Sequence, residues 1–129
     1  MRLNKYVLPM ALITMGTLHF LRAKNFESIV PPQLPGSPRL YNFASGAWEI
    51  ATGCLLTERA TRESGGASAA ALFLAVWPAN MYHAWIERDA GWPKKLYHII
   101  RLPLQIPLIR YAWKIAQGRT CLLYTSDAA

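Results

Sequence analysis

Six side chains that can hold charge or direct hydrogen bonds interrupt otherwise apolar stretches of this chain: His19, Glu49, Asn80, His83, Arg101 and Gln105. An imidazole, a carboxylate and a guanidinium together can hold or pass a proton and anchor a polar headgroup. In an apolar setting such groups are costly and usually turn inward, paired or hydrated. Asn80 and His83 stand at i, i+3, and Arg101 and Gln105 at i, i+4, so each pair shares one helix face. Pro78 removes a backbone donor beside Asn80 and frees a carbonyl. Two readings follow. One is a polar pocket that takes a ligand. The other is an internal hydrogen-bond network that specifies helix packing. Gly46 and Gly53, flanking Glu49 at helical spacing, suit the second, because small residues let helices approach closely.

Other chemistry is poorly served. No metal site is expected: His19 and His83 lie in separate stretches with no third His or Cys at ligand spacing, and His98 adds a third imidazole only near the end of another stretch. Cys54 has no second cysteine at redox spacing and sits among apolar residues, as an inert buried thiol does. Nucleophile-elbow serines, glycine-rich phosphate loops, haem motifs and iron–sulfur cysteines do not occur. No cofactor is therefore identifiable, although a quinone headgroup is compatible with His19, Glu49 and Arg101. The chain is not expected to be an enzyme on its own.

These side chains must be positioned by helices. Of the 129 residues, 53% are hydrophobic and 16% charged; the charged share of an ordinary soluble domain is roughly 25%. Runs without formal charge cover 6–21 and 64–86, and 40–57 carries Glu49 alone. Residues 69–77 show no polar face, which a helix beside water should have. The pattern predicts an all-α protein: a four-transmembrane-helix bundle with spans of about 5–22, 40–58, 67–87 and 96–117, in one domain over 1–120. At about 1.5 Å of rise per residue, all six polar side chains fall toward one end of the spans. Between the first two spans, Pro31, Pro32, Pro35 and Pro38 enforce an extended path. Just before them, Phe26, Ile29 and Val30 at i, i+3, i+4 predict a short surface helix lying on the membrane, and under the pocket reading residues 26–35 form its lid.

Fourteen Lys and Arg against seven Asp and Glu give a net charge of +7. The basic residues lie scattered over the connections, so a nucleic-acid surface is not expected; membrane lipids and a partner protein subunit are the expected partners. Lys and Arg divide almost evenly between the two faces, so the charge rule for orientation does not choose. Residues 121–129 resemble translated library-preparation adapter, and as a non-native tail they are set aside from fold reasoning.

Five short motifs recur in a recognisable order. Gly16-Thr17-Leu18-His19-Phe20 is followed by Ile29-Val30-Pro31-Pro32-Gln33-Leu34-Pro35. Then come Ser45-Gly46-Ala47-Trp48-Glu49-Ile50, Trp77-Pro78-Ala79-Asn80 and Arg101-Leu102-Pro103-Leu104-Gln105. In this order and spacing, residues 5–117 resemble the DoxX-like family of small bacterial membrane proteins. The resemblance implies four transmembrane helices and a multi-pass place in the bacterial inner (plasma) membrane. The family also includes a small subunit of a thiosulfate:quinone oxidoreductase. The expected function is an accessory or subunit of a membrane complex or a binder of a small lipophilic molecule; the alternative is a subunit of a quinone-linked oxidoreductase.

Overall fold

The computed structural model describes residues 5–119, so the expectation for the 121–129 tail lies outside the described residues. Five α-helices account for most of it: α1 Val7–Leu21, α2 Ala23–Glu27, α3 Pro38–Thr57, α4 Arg62–Ile86 and α5 Trp92–Ala116, with one 3-10 turn at Arg59–Thr61. Local chemistry sets the boundaries. Ser37 caps α3 by accepting from the Leu40 amide at 3.2 Å, and Pro38 supplies the preset φ that suits a first helical residue. The carbonyls left open at the end of α3 are taken by Thr61 Oγ1 on Leu55 (2.7 Å) and Arg62 Nε on Leu56 (3.4 Å). Helix α5 starts at Gly91 with Pro93 in its first turn.

The long helices pack in the order α1–α3–α4–α5. No part of α1 comes within backbone contact distance of α4 or α5, nor α3 of α5. The array is therefore open along the α1–α5 side. Its apolar core joins Leu8 and Leu12 to Leu56, then to Ala69, Ala70, Leu72 and Phe73, and finally to Ala112 and Ile115. The α1–α3 crossing is tight: a Cβ on Gly16 would lie 2.7 Å from the Gly46 carbonyl oxygen. Likewise, a Cβ on Gly66 would lie 2.5 Å from the Ala116 amide nitrogen, where α4 meets α5. Across α3 and α4, Ser68 Oγ accepts from Trp48 Nε1 (2.9 Å) and pairs with buried Thr52 Oγ1 (2.7 Å).

This architecture corrects the expectation of a four-transmembrane-helix bundle. Among the described residues no helix is long and apolar enough to cross a membrane. Helix α1 has 15 residues, about 22 Å at 1.5 Å per residue, against roughly 30 Å of hydrocarbon. Helix α3 carries Arg39, Asn42, Ser45, Glu49 and Thr52, and α4 opens with Arg62-Glu63-Ser64-Gly65-Gly66. Helix α5 holds Lys94, Lys95, Arg101, Arg110 and Lys114, with Pro103 and Pro107 in its interior. The multi-pass placement in a bacterial inner membrane falls with the spans. The array is also open on one side, because no residues of α1 and α5 come within backbone contact distance. Many large apolar side chains nevertheless face outward, among them Leu21, Leu40, Trp85, Trp92 and Ile99.

Candidate functional site

The gap between α1 and α5 is a cavity of about 480 Å³. Its walls are largely aliphatic and aromatic: Leu8, Leu12 and Met15 from α1, Phe73 and Val76 from α4, Leu104 and Leu108 from α5. Helix α2 and the loop after it close one end. Phe26 stacks on His19 with ring centroids 4.0 Å apart, and Ile29, Val30, Pro31 and Leu34 continue the cover. The short helix stops at Glu27, one turn before the prolines.

Of the six expected polar residues, His19, Glu49, Asn80, Arg101 and Gln105 line this cavity; His83 does not and faces a smaller one. They form separate groups. In the first, His19 Nδ1 lies 2.6 Å from Asn42 Oδ1, while Asn42 Nδ2 donates to the His19 carbonyl at 2.8 Å. The second bond fixes which way the Asn42 amide points. Its oxygen therefore faces Nδ1, and Nδ1 carries a proton. The other ring nitrogen, Nε2, lies 3.4 Å from Glu49 Oε2. That is ion-pair distance when the ring is doubly protonated. Burial opposes a charged His19, but the hydrogen bonds to Glu49 and Asn42 outweigh it and raise the His19 pKa.

The second group is built on Arg101. Its guanidinium donates to Asn80 Oδ1, and to His83 Nδ1 at 3.1 Å, and lies over the Tyr97 ring. Accepting from a permanently charged donor makes His83 Nδ1 a lone pair and puts the ring proton on Nε2. Burial lowers the His83 pKa; Glu87 opposes that shift, and His98 and Arg101 add to it. Gln105 stands apart and donates to the Phe73 carbonyl at 2.8 Å, one turn before Pro78 interrupts α4. Glu49 and Arg101 thus share a cavity while each has its own partner, instead of pairing with each other.

Three contributors lie outside the six expected polar residues. Asn42 is 2% exposed and holds both ends of the His19 arrangement. Glu87 and His98 meet at the α4–α5 turn, with Glu87 Oε2 2.8 Å from His98 Nε2 and Glu87 Oε1 3.3 Å from His83 Nε2. Glu87 closes the C-terminal end of α4, where the helix dipole disfavours an anion. The His98 hydrogen bond, with His83 and Lys94, nevertheless holds its carboxyl down to about 2. The signal available was His83 and Glu87 at i, i+4, followed by a turn short enough to fold His98 back.

A family model described as a domain of unknown function (DUF8561) matches residues 8–116. The chain belongs to that family. No DoxX family model matches, which overturns the DoxX-like resemblance. Two of its short motifs contain Gly16 and Gly46, where α1 and α3 cross closely. No curated protein and no solved structure matches the chain.

Proposed function

We propose that this family member binds a small, mostly apolar molecule with one polar end in the cavity between α1 and α5. The observation that carries the reading is an apolar cavity of about 480 Å³ with Arg101 and the His19–Glu49 pair set into its walls. That volume lies within the usual range for small-molecule sites, roughly 300–1,000 Å³, which are mostly apolar with a few placed polar groups. A guanidinium has five N–H donors, and Asn80 and His83 occupy only some of those on Arg101. The remainder suit a carbonyl or carboxylate. The apolar walls offer contact area without hydrogen-bond demands.

A quinone is the second reading of the ligand, favoured by the His19–Glu49 pair, whose Nε2 and Oε2 stand 3.4 Å apart at the cavity wall. A headgroup carbonyl accepting from that pair, with its tail along Leu12 and Leu108, would use both features.

The test is thermal stabilisation by dodecanoate, dodecanol and decylubiquinone, in the wild type and in Ala79→Trp, which fills the cavity. Stabilisation of the wild type by at least one probe, lost in Ala79→Trp, is the expected outcome. No response to any probe, or an equal response in both proteins, would refute the reading. A response to decylubiquinone well above dodecanol would select the quinone.

A further inference from the structure

We propose that His83, Glu87 and His98 bind one divalent transition-metal ion of the zinc class at the α4–α5 turn, separately from the apolar cavity. One ligand atom from each of the three lies within 4.8 Å of the others. Both imidazoles present Nε2 to the same carboxylate, at 3.3 and 2.8 Å. Two histidines and a carboxylate are the donor set of open zinc and non-haem iron sites, in which a further position is left for water or substrate. Metal–nitrogen bonds of about 2.0–2.1 Å require the three atoms to close in from within 4.8 Å of one another, by rotation of the imidazoles as well as of Glu87.

The setting is rigid and partly dry. His83 and Glu87 are one helical turn apart, tied by the Glu87 amide donating to the His83 carbonyl at 3.2 Å. His98 is 5% exposed, and its ring meets that of His83 edge-on at 4.6 Å. Beside His83 and Glu87 lies a second cavity of about 270 Å³, bounded by Asn25, Ser28, Ile29 and Ile86, with room for the water that a three-ligand site retains. His98 Nδ1 is buried and has no hydrogen-bond partner.

Proton and charge balance are straightforward. In the metal-free protein Nε2 of each ring carries the proton that faces Glu87. When Nε2 turns to the metal, the proton moves to Nδ1 of the same ring, and no net proton need leave. For His83 this means that Arg101 gives up its bond to Nδ1 while keeping Asn80 and the Tyr97 ring. For His98 the receiving atom is the unpartnered Nδ1. Two cations oppose the ion. Arg101 is anchored, but the Lys94 ammonium, 3.4 Å from Glu87 Oε1, belongs to a side chain that is 63% exposed and can swing into water. The metal therefore takes the place that Lys94 now holds on the carboxylate.

That competition separates a metal site from a network of ion pairs. Chelator-stripped protein, with no apolar ligand added, is titrated calorimetrically with Zn²⁺, Co²⁺ and Mg²⁺, and the Co²⁺ form is read by visible absorption. One equivalent of Zn²⁺ and of Co²⁺ should bind and Mg²⁺ should not, following the preference of imidazole donors. Glu87→Gln and His98→Ala should each weaken Zn²⁺ binding at least tenfold, and Lys94→Ala should tighten it several-fold. Absence of saturable one-to-one binding by the wild type would overturn the proposal. So would binding that persists in His98→Ala, or that ignores the loss of Lys94, since either would place the ion elsewhere.

Discussion

Replacing Asn42 by leucine tests the first polar group most directly. Asn42 accepts from His19 Nδ1 and donates to the His19 carbonyl. That carbonyl belongs to the last turn of α1, where no helical amide remains to pair with it. Leucine would leave both groups buried and unsatisfied, at about 1–3 kcal/mol each. Its own apolar burial returns roughly 1.5–3 kcal/mol. The net loss should be about 2 kcal/mol, a drop in Tm on the order of 10 °C for a chain of this size. A second readout follows from titration. The His19 pKa in the folded protein stands above its ordinary 6.5. The stability it contributes is therefore complete below that value and lost as pH rises through the folded pKa. Asn42→Leu removes one cause of the upward shift, so the fall of stability with rising pH should flatten. Asn42→Asp keeps the acceptor and adds a negative charge, so the same fall should steepen. Urea unfolding of the three proteins from pH 5.5 to 8.5 measures both effects. If Asn42→Leu matches the wild type within about 0.5 kcal/mol, the scatter of an ordinary surface change, and keeps its pH slope, the Asn42–His19 reasoning is wrong.

Gly66→Ala should destabilise although alanine is the better helix former by about 1 kcal/mol, because overpacking against the α5 backbone costs roughly 1–3 kcal/mol; a raised urea midpoint would contradict the tight α4–α5 contact. In chelator, Glu87 should contribute stability that is complete above about pH 4.5 and lost as pH falls through about 2, so acid unfolding of Glu87→Gln should lack that component. Glu49→Gln and Arg101→Ala should combine almost additively in thermal unfolding, since the two residues have different partners; a large coupling would mean that they interact. Gly91→Ser should stabilise by a few tenths of a kcal/mol, as a side-chain cap for α5 where none exists, and an unchanged Tm would show the cap unused.

Runs without formal charge and the breaks at the prolines made the helices legible, and polar residues inside apolar runs pointed to His19, Glu49, Arg101 and Gln105 as inward-facing. Their pairing was not legible, because Asn42, Asn80 and His83, neutral residues on other helices, supply the closest partners. Asn42 reads as an ordinary polar residue near a helix start, yet it is His19's closest partner. Glu87 reads as a loop charge, and only the fold of the α4–α5 turn brings His98 onto it. The spanning reading failed for a different reason. Counting from charge to charge gives 64–86 as one run, but Ser64-Gly65-Gly66-Ala67-Ser68 contributes little hydropathy. A run without charge is not thereby apolar. Glycines at 16, 46 and 66 serve close helix crossings, which either environment demands.

Because α1 and α5 do not meet, the fold has one fewer interface than it has sides. A molecule in the gap would act as mortar, touching α1 and α5 at once and adding contact that the polypeptide does not make for itself. Linkage then ties persistence of the fold to supply: at a hundred times its Kd a ligand adds about 2.7 kcal/mol, a large share of the roughly 5–15 kcal/mol that holds a domain together. An unfilled copy would open more often and be cleared sooner by proteolysis. The cellular level of the protein would in that way record how much of its ligand is present, with no separate sensing element.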